Sequence, residues 1–206
     1  MVYSFMRALL RIFTTVWFDL KVYGTENVPQ TGGVLLVSNH QSFLDPPLIG
    51  VQLRRKASYL AKSGLFENPV FGWIIRNCNA FPVRQGEGDV GAVKETIRRL
   101  REGHMLTVFP EGGRSEDGEL QPILNGAALV VRKAQVPIVP IAIEGSFKAW
   151  PKHRKIWQRS PVRVLIGKPA IVHDMKAKEI TEFIDREIRE LFTELRRRIA
   201  EENGRP

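Results

Sequence analysis

Among 206 residues the chain carries one cysteine, Cys78. A single thiol excludes an internal disulfide and fits a reducing compartment. Its setting, IIRNCNAF, lies between apolar runs, so a small buried filler is expected rather than a catalytic thiol. Long hydrophobic runs are missing too. The most aromatic stretch, MVYSFMRALLRIFTTVWFDLKVYG, is interrupted by Arg7, Arg11, Asp19 and Lys21. Nothing approaches the roughly 18 apolar residues that a bilayer-spanning helix needs. The stretch also lacks the small-residue cleavage site of a signal peptide. There is no internal repeat, no low-complexity block, no GxSxG elbow, and no HExxH or Cys/His ligand spacing. These absences speak against a nucleophile-elbow hydrolase, and the expected metal-ligand set is none.

What is present suits one α/β domain. Hydrophobic residues make up 43%, enough for a packed core and too many for disorder. Lysine and arginine exceed aspartate and glutamate, leaving a formal charge of +9. That surplus favours an anionic partner: nucleic acid, anionic lipid or a phosphorylated substrate. Charge alone leaves the three open.

Written on a helix, the N-terminal stretch puts Phe5, Leu9, Phe13, Val16, Trp17 and Leu20 on one face and Ser4, Arg7, Arg11 and Thr14 opposite. An interfacial membrane helix has this pattern, and so does a helix packed on the domain's own core. Residues 1–23 are therefore expected as an amphipathic N-terminal helix and 24–206 as the main domain.

Further along, GVLLVSN, ASYLAKS, NAFPVRQ, HMLTVF, VPIVPIAIEGS and VRVLIGKPAIV read as strands. VGAVKETIRRLREG and NGAALVVRKAQ read as helices. From Lys178 to Glu202, Ile180, Ile184, Ile188, Leu191, Leu195 and Ile199 recur at spacings of three and four, the stripe of a C-terminal amphipathic helix. Strands alternating with helices predict a single domain with a largely parallel central sheet flanked by helices.

Two polar clusters stand where strands end, NHQSFLD after GVLLVS and PEGGRS after HMLTVF. Parallel strands bring such ends to one edge, where ligands gather in open α/β sheets. That edge would hold His40, Asp45, Glu111 and Arg114, with Arg84 nearby. Asp45 precedes Pro46 and Pro47 and reads as a helix N-cap, with His40 in the turn before it. One carboxylate oxygen could then take a backbone N–H and the other the His40 ring N–H. An imidazole held by a carboxylate is a general base, and a substrate hydroxyl is its best candidate for deprotonation. Ser42 is the only hydroxyl between the two. His104, His153 and His173 have no comparable setting and are expected at the surface. A Gly-Gly turn exposes backbone N–H groups to an oxyanion or phosphate, or is simply a turn. Arg114 beside it can grip phosphate.

Taken together these residues resemble the glycerolipid acyltransferase family, the 1-acylglycerol-3-phosphate acyltransferases and their relatives. Four blocks carry the resemblance from about Gly24 to Lys168. They are Asn39, His40 and Asp45 of NHxxxxD; Phe81 and Arg84 of NAFPVR; Phe109, Pro110, Glu111, Gly112, Arg114 and Ser115 of FPEGxRS; and Pro140 in VPIVPIAI. Gly113 stands where the family usually has threonine, and Val83 where an acidic residue is common. The resemblance implies acyl transfer from an acyl-CoA or acyl carrier protein co-substrate to the free hydroxyl of lysophosphatidic acid, without a cofactor. His40 and Asp45 would be catalytic; Asn39, Arg84, Glu111, Gly112 and Arg114 would serve the substrate. Expected partners are a lysophospholipid acceptor and an anionic membrane surface at the cytoplasmic face, not nucleic acid. A different lysolipid acceptor, a hydrolase that activates water, and a non-catalytic lipid- or nucleic-acid-binding module are the competing readings.

Overall fold

Short runs rich in valine, isoleucine and leucine form the sheet. A computed structural model of the chain describes residues 2–77, 79–83 and 90–204. Cys78 and Arg84 lie outside the described residues. Among the described residues there are seven strands: β1 (Lys21–Tyr23), β2 (Val34–Ser38), β3 (Ala57–Lys62), β4 (Ala80–Val83), β5 (Met105–Val108), β6 (Ile138–Glu144) and β7 (Arg163–Ile166). Their order across the sheet is β1-β7-β6-β2-β5-β3-β4. Every neighbouring pair is parallel except β6 with β7. β2 is central, and each of its residues is buried. Such continuous burial is what a parallel sheet covered on both faces demands.

The helices are α1 (Val2–Phe18), α2 (Asp45–Gly50), α3 (Pro69–Asn77), α4 (Val90–Arg101), α5 (Gly126–Ala134), α6 (Ser146–Ala149) and α7 (Ala177–Asn203). Side chains alternate across a strand, and β2 divides accordingly. Val34 and Leu36 join Phe18, Leu48 and Ile49 in the core on one face. Leu35 and Val37 join Leu100, Val131, Ile180, Ile184 and Ile188 on the other. The expected stripe of α7 is the one that buries. Its first turn is capped by the Glu179 carboxylate, which accepts the Lys176 N–H at 2.8 Å. Pro140 is tolerated inside β6 because the β7 ladder begins only at Ile141.

Three features differ from the sequence reading. Lys21–Tyr23 form an edge strand paired with β7, so these residues belong to the sheet rather than to the helix before it. α3 was not expected; Asn68 starts it by accepting the Phe71 N–H at 2.9 Å. In α1 two residues of the side expected to be polar, Arg7 and Thr14, dock, while Arg11 stays exposed. Thr14 and Phe18 are buried, and Leu10 packs beside them. Arg7 can face inward because its guanidinium donates to the carbonyls of Leu53 (3.1 Å) and Arg54 (3.2 Å). Leu9, Ile12, Phe13, Val16 and Trp17 are left exposed. No described helix is long and apolar enough to cross a membrane.

After β6 the chain must turn sharply into α6. Gly145 does this at φ 92°, a conformation that side chains rarely adopt. A Cβ there would lie 2.1 Å from the Pro161 carbonyl oxygen. Gly145→Ala should therefore lower unfolding stability by at least about 2 kcal/mol, read from the midpoint of urea denaturation.

Candidate active site

β2 ends by presenting Asn39 and His40 at the carboxyl edge of the sheet, between the ends of β5 and β6. The Asn39 side chain is buried and pairs with the backbone there. Its Nδ2 donates to the Ile143 carbonyl and its Oδ1 accepts the Ile143 N–H, both at 2.9 Å. Asn39 thus fastens β2 to β6, a role the sequence reading did not give it.

His40 Nδ1 lies 2.8 Å from Asp45 Oδ2. The same oxygen accepts the N–H of Gln41 at 2.6 Å and of Ser42 at 2.7 Å. The expected division between two oxygens does not occur, and Oδ1 is buried without a partner. Nor is Asp45 the N-cap; it is the first residue of α2, after Leu44. The reason is local. The positions a cap would serve include Pro46 and Pro47, which have no N–H, so the carboxylate turns back onto the preceding turn. A fully buried carboxylate accepts only, which puts the proton on Nδ1 and the free lone pair on Nε2. Phe109 stacks on the imidazole, with ring centroids 4.0 Å apart and planes at 17°. Ser42 is not a nucleophile candidate, because its hydroxyl donates to the Trp150 carbonyl at 2.8 Å and accepts the Leu44 N–H at 3.2 Å.

The segment after β5 wraps this turn. Glu111 accepts the His40 backbone N–H at 3.2 Å, and the Ser115 N–H returns to the His40 carbonyl at 2.7 Å. Glu111 therefore positions the histidine's backbone and, among the described residues, forms no ion pair with an arginine. Burial pushes its carboxyl up to about 7, opposed by the N–H groups of His40 and Gln121. Gly112 turns at φ 73°, and its N–H goes to the Phe109 carbonyl at 3.1 Å. Among the described residues, the N–H groups of Gly113 and Arg114 carry no such bond.

Arg114 lies with its guanidinium carbon 3.5 Å from the centre of the Phe43 ring. Burial lowers its proton affinity, and the nearby Asp45 and Glu116 charges raise it. Its Nη1 is buried and has no hydrogen-bond partner. Phe43, unremarked in the sequence reading, sits inside NHQSFLD, where one aromatic among polar residues was the available signal. Arg84 lies beyond the described residues, and nothing is assigned to it here. Of the other histidines, His104 and His153 are exposed, whereas His173 is half-buried with Nδ1 turned inward and unpartnered.

Beside Phe109 opens an apolar hollow of about 230 Å³, lined by Leu60, Val93, Val108, Leu124 and Val130 among others. A hollow on the outer face of α4, lined by Lys94, Arg98 and Arg101, contains none of these groups.

Comparison with known proteins accords with this geometry. The family profile described as Acyltransferase matches residues 19–144. The chain belongs to the acyltransferase family. This acyltransferase-family chain is 27% identical over 201 residues to a 1-acyl-sn-glycerol-3-phosphate acyltransferase of Bacillus subtilis, covering 94% of this chain and 98% of that one. A chloroplastic enzyme of the same name from Brassica napus is 32% identical over 177 residues, 80% of this chain. The match spans only 51% of the Brassica protein. The crystal structure of the 1-acyl-sn-glycerophosphate acyltransferase of Thermotoga maritima superposes with a TM-score of 0.79 at 28% identity, covering 94% of this chain and 81% of that one.

Glu111 gives a pH test. Its native carboxyl holds a proton up to about 7, whereas the unfolded chain releases it near 4.5. Between those values the native state binds more protons, so this group's contribution to stability falls as pH rises. Glu111→Gln should remove that slope, making the variant more stable relative to the parent at pH 8 than at pH 4 by up to about 3 kcal/mol, measured by urea titration at each pH.

Proposed function

We propose that the chain transfers a fatty acyl group from a thioester, acyl-CoA or acyl carrier protein, to the free hydroxyl of lysophosphatidic acid, forming phosphatidic acid. The observation that carries this reading is the His40–Asp45 pair at 2.8 Å, bonded through Ser115 to the segment that holds Arg114. His40 Nε2 takes the acceptor's hydroxyl proton as that oxygen attacks the thioester carbonyl carbon. The uncommitted N–H groups of Gly113 and Arg114 are available to the oxyanion that forms. Collapse breaks the C–S bond, and the thiolate leaves with the proton from the imidazolium. Asp45 holds the ring. The orphaned Nη1 of Arg114 finds its acceptor in the phosphate. Arg84 is proposed as a second phosphate contact on the family resemblance alone. The apolar hollow beside Phe109 offers room for part of the acyl chain.

The acceptor and the product are lipids, so the site must meet a bilayer. The exposed face of α1 supplies one contact, on the cytoplasmic side as the lone thiol suggests. The attachment proposed is peripheral, no helix among the described residues being long and apolar enough to span.

Purified protein given acyl-CoA or acyl carrier protein and a panel of lysolipids should form phosphatidic acid, followed by mass. Release of free fatty acid without lipid acylation would mean a hydrolase instead. His40→Ala should lower kcat by a factor of about 10³ or more while the protein still unfolds in a cooperative urea transition. Because the two side chains act as one unit, His40→Ala/Asp45→Asn should be no slower than the slower single variant; additive losses would separate their roles. Replacing Ile12, Val16 and Trp17 together by glutamine should release the protein from liposomes in a flotation assay, and undiminished flotation would remove α1 from the membrane contact.

A further inference from the structure

The connection between α6 and β7 reads PKHRKIWQRS. Residues 152–159 are all exposed, and they include Lys152, His153, Arg154, Lys155 and Arg159 but no acidic residue. Two apolar side chains stand out among these cations, Ile156 at 73% and Trp157 at 45% exposure. The loop is built rather than slack. The Trp150 indole N–H donates to the Arg154 carbonyl at 2.8 Å, and the Gln158 N–H to the Ala149 carbonyl at 2.8 Å. Its base is tied to the active-site segment, since Lys152 and His153 both hold Glu116, two residues beyond Arg114. Among the described residues, Lys148, Lys155 and Arg159 have no anionic partner.

An aromatic line joins this loop to the site. Trp157 meets Trp150 at 5.4 Å, Trp150 meets Phe43 at 5.6 Å, and Phe43 lies 3.5 Å under the Arg114 guanidinium. The loop also shares an edge with α1, for the Val162 N–H donates to the Phe18 carbonyl at 2.9 Å.

We propose that residues 148–159 are a second membrane contact, in which Lys148, Lys155 and Arg159 meet anionic phospholipid headgroups while Ile156 and Trp157 enter the interface, aligning the mouth of the site with the lipid surface. This rests on the lipid-acceptor reading above. Unpaired cations flanking an exposed aliphatic and an indole are what an anionic interface matches, since it offers charge and an apolar layer at once. An acidic carrier protein would answer the charge but leaves the aliphatic tip without a reason to be exposed. The line from Trp157 to Arg114 then becomes the path by which a lysolipid, already in the headgroup layer, reaches its phosphate contact.

Binding to sucrose-loaded vesicles tests this without reference to catalysis. The full chain should bind vesicles of phosphatidylcholine with phosphatidylglycerol far better than phosphatidylcholine alone. K155Q/R159Q should weaken binding to the anionic vesicles about thirtyfold. I156S/W157S should weaken binding to both kinds, and brominated acyl chains should quench the parent's tryptophan emission more than that of W157F. K155Q/R159Q should keep the parent's kcat on lysophosphatidic acid dispersed in neutral detergent. Parent-like vesicle binding by both double variants would overturn the proposal. If they also showed a raised KM for acyl carrier protein, the loop would be assigned to the donor instead. A parent that binds vesicles through this loop but acylates no lysolipid would sink the catalytic reading and leave the membrane contact standing.

Discussion

One oxygen atom, Asp45 Oδ2, gathers the His40 ring and the N–H groups of Gln41 and Ser42 within 2.8 Å. Three donors converging on a buried carboxylate replace the water it gave up on folding, and hydrogen bonds to an ion are the strong ones. The turn from His40 to Asp45 is closed around that charge, so the ring has one orientation available. Proline at both following positions is part of the same device. It removes the helix N–H groups that would otherwise compete for the carboxylate, and so leaves a helix-initiating residue free to serve the turn behind it.

The second polar segment is organised around the first. His40 is held through its own peptide on both sides, its N–H by Glu111 and its carbonyl by Ser115. The Gln41 side chain extends the tie to the Gly118 carbonyl at 2.5 Å. These bonds join residues separated by more than 70 positions in sequence, and they rest on β2 and β5 being parallel neighbours that end together. Glu111 accepts a burial cost for this role. A neutral side chain of similar shape could hold the same backbone, yet a carboxyl near 7 holds a charge that varies with pH beside the turn from His40 to Asp45.

Much of the sheet was legible because a buried parallel strand must be apolar throughout, and VLLVS or IVPIAIE can hardly be read otherwise. The α7 stripe was legible for the same reason at helical period. β1 was hidden because a three-residue edge strand carries too few side chains to show a period. In α1 residue type alone left open which face docks. Arg7 was accommodated by the Leu53 and Arg54 carbonyls in the turn after α2, and Thr14 returns its hydroxyl to the Arg11 carbonyl at 3.2 Å. At the site, the pairing of His40 with Asp45 followed from turn chemistry. The use of Asn39 as a strand fastener did not, because an amide serves backbone and ligand equally well and only the position of Ile143 decides between them.

The distribution of charge makes the last connection. On α4 and α7 many arginines are neutralised in place: Glu95 is shared by Arg98 and Arg99, and Glu194 by Arg197 and Arg198. Helix pairs of this kind are solvated and worth little to stability, but they silence the field those faces would otherwise project. Among the described residues the connection after α6 has no such neutralisation beyond Glu116 at its base, and its exposed apolar residues lie among the open charges. A net positive charge is therefore not spread evenly over this fold. Unanswered cations and the outward faces of α1 both gather near the edge of the sheet where the imidazole sits, which is the edge that a headgroup layer has to reach if an acceptor is to be acylated without leaving its membrane.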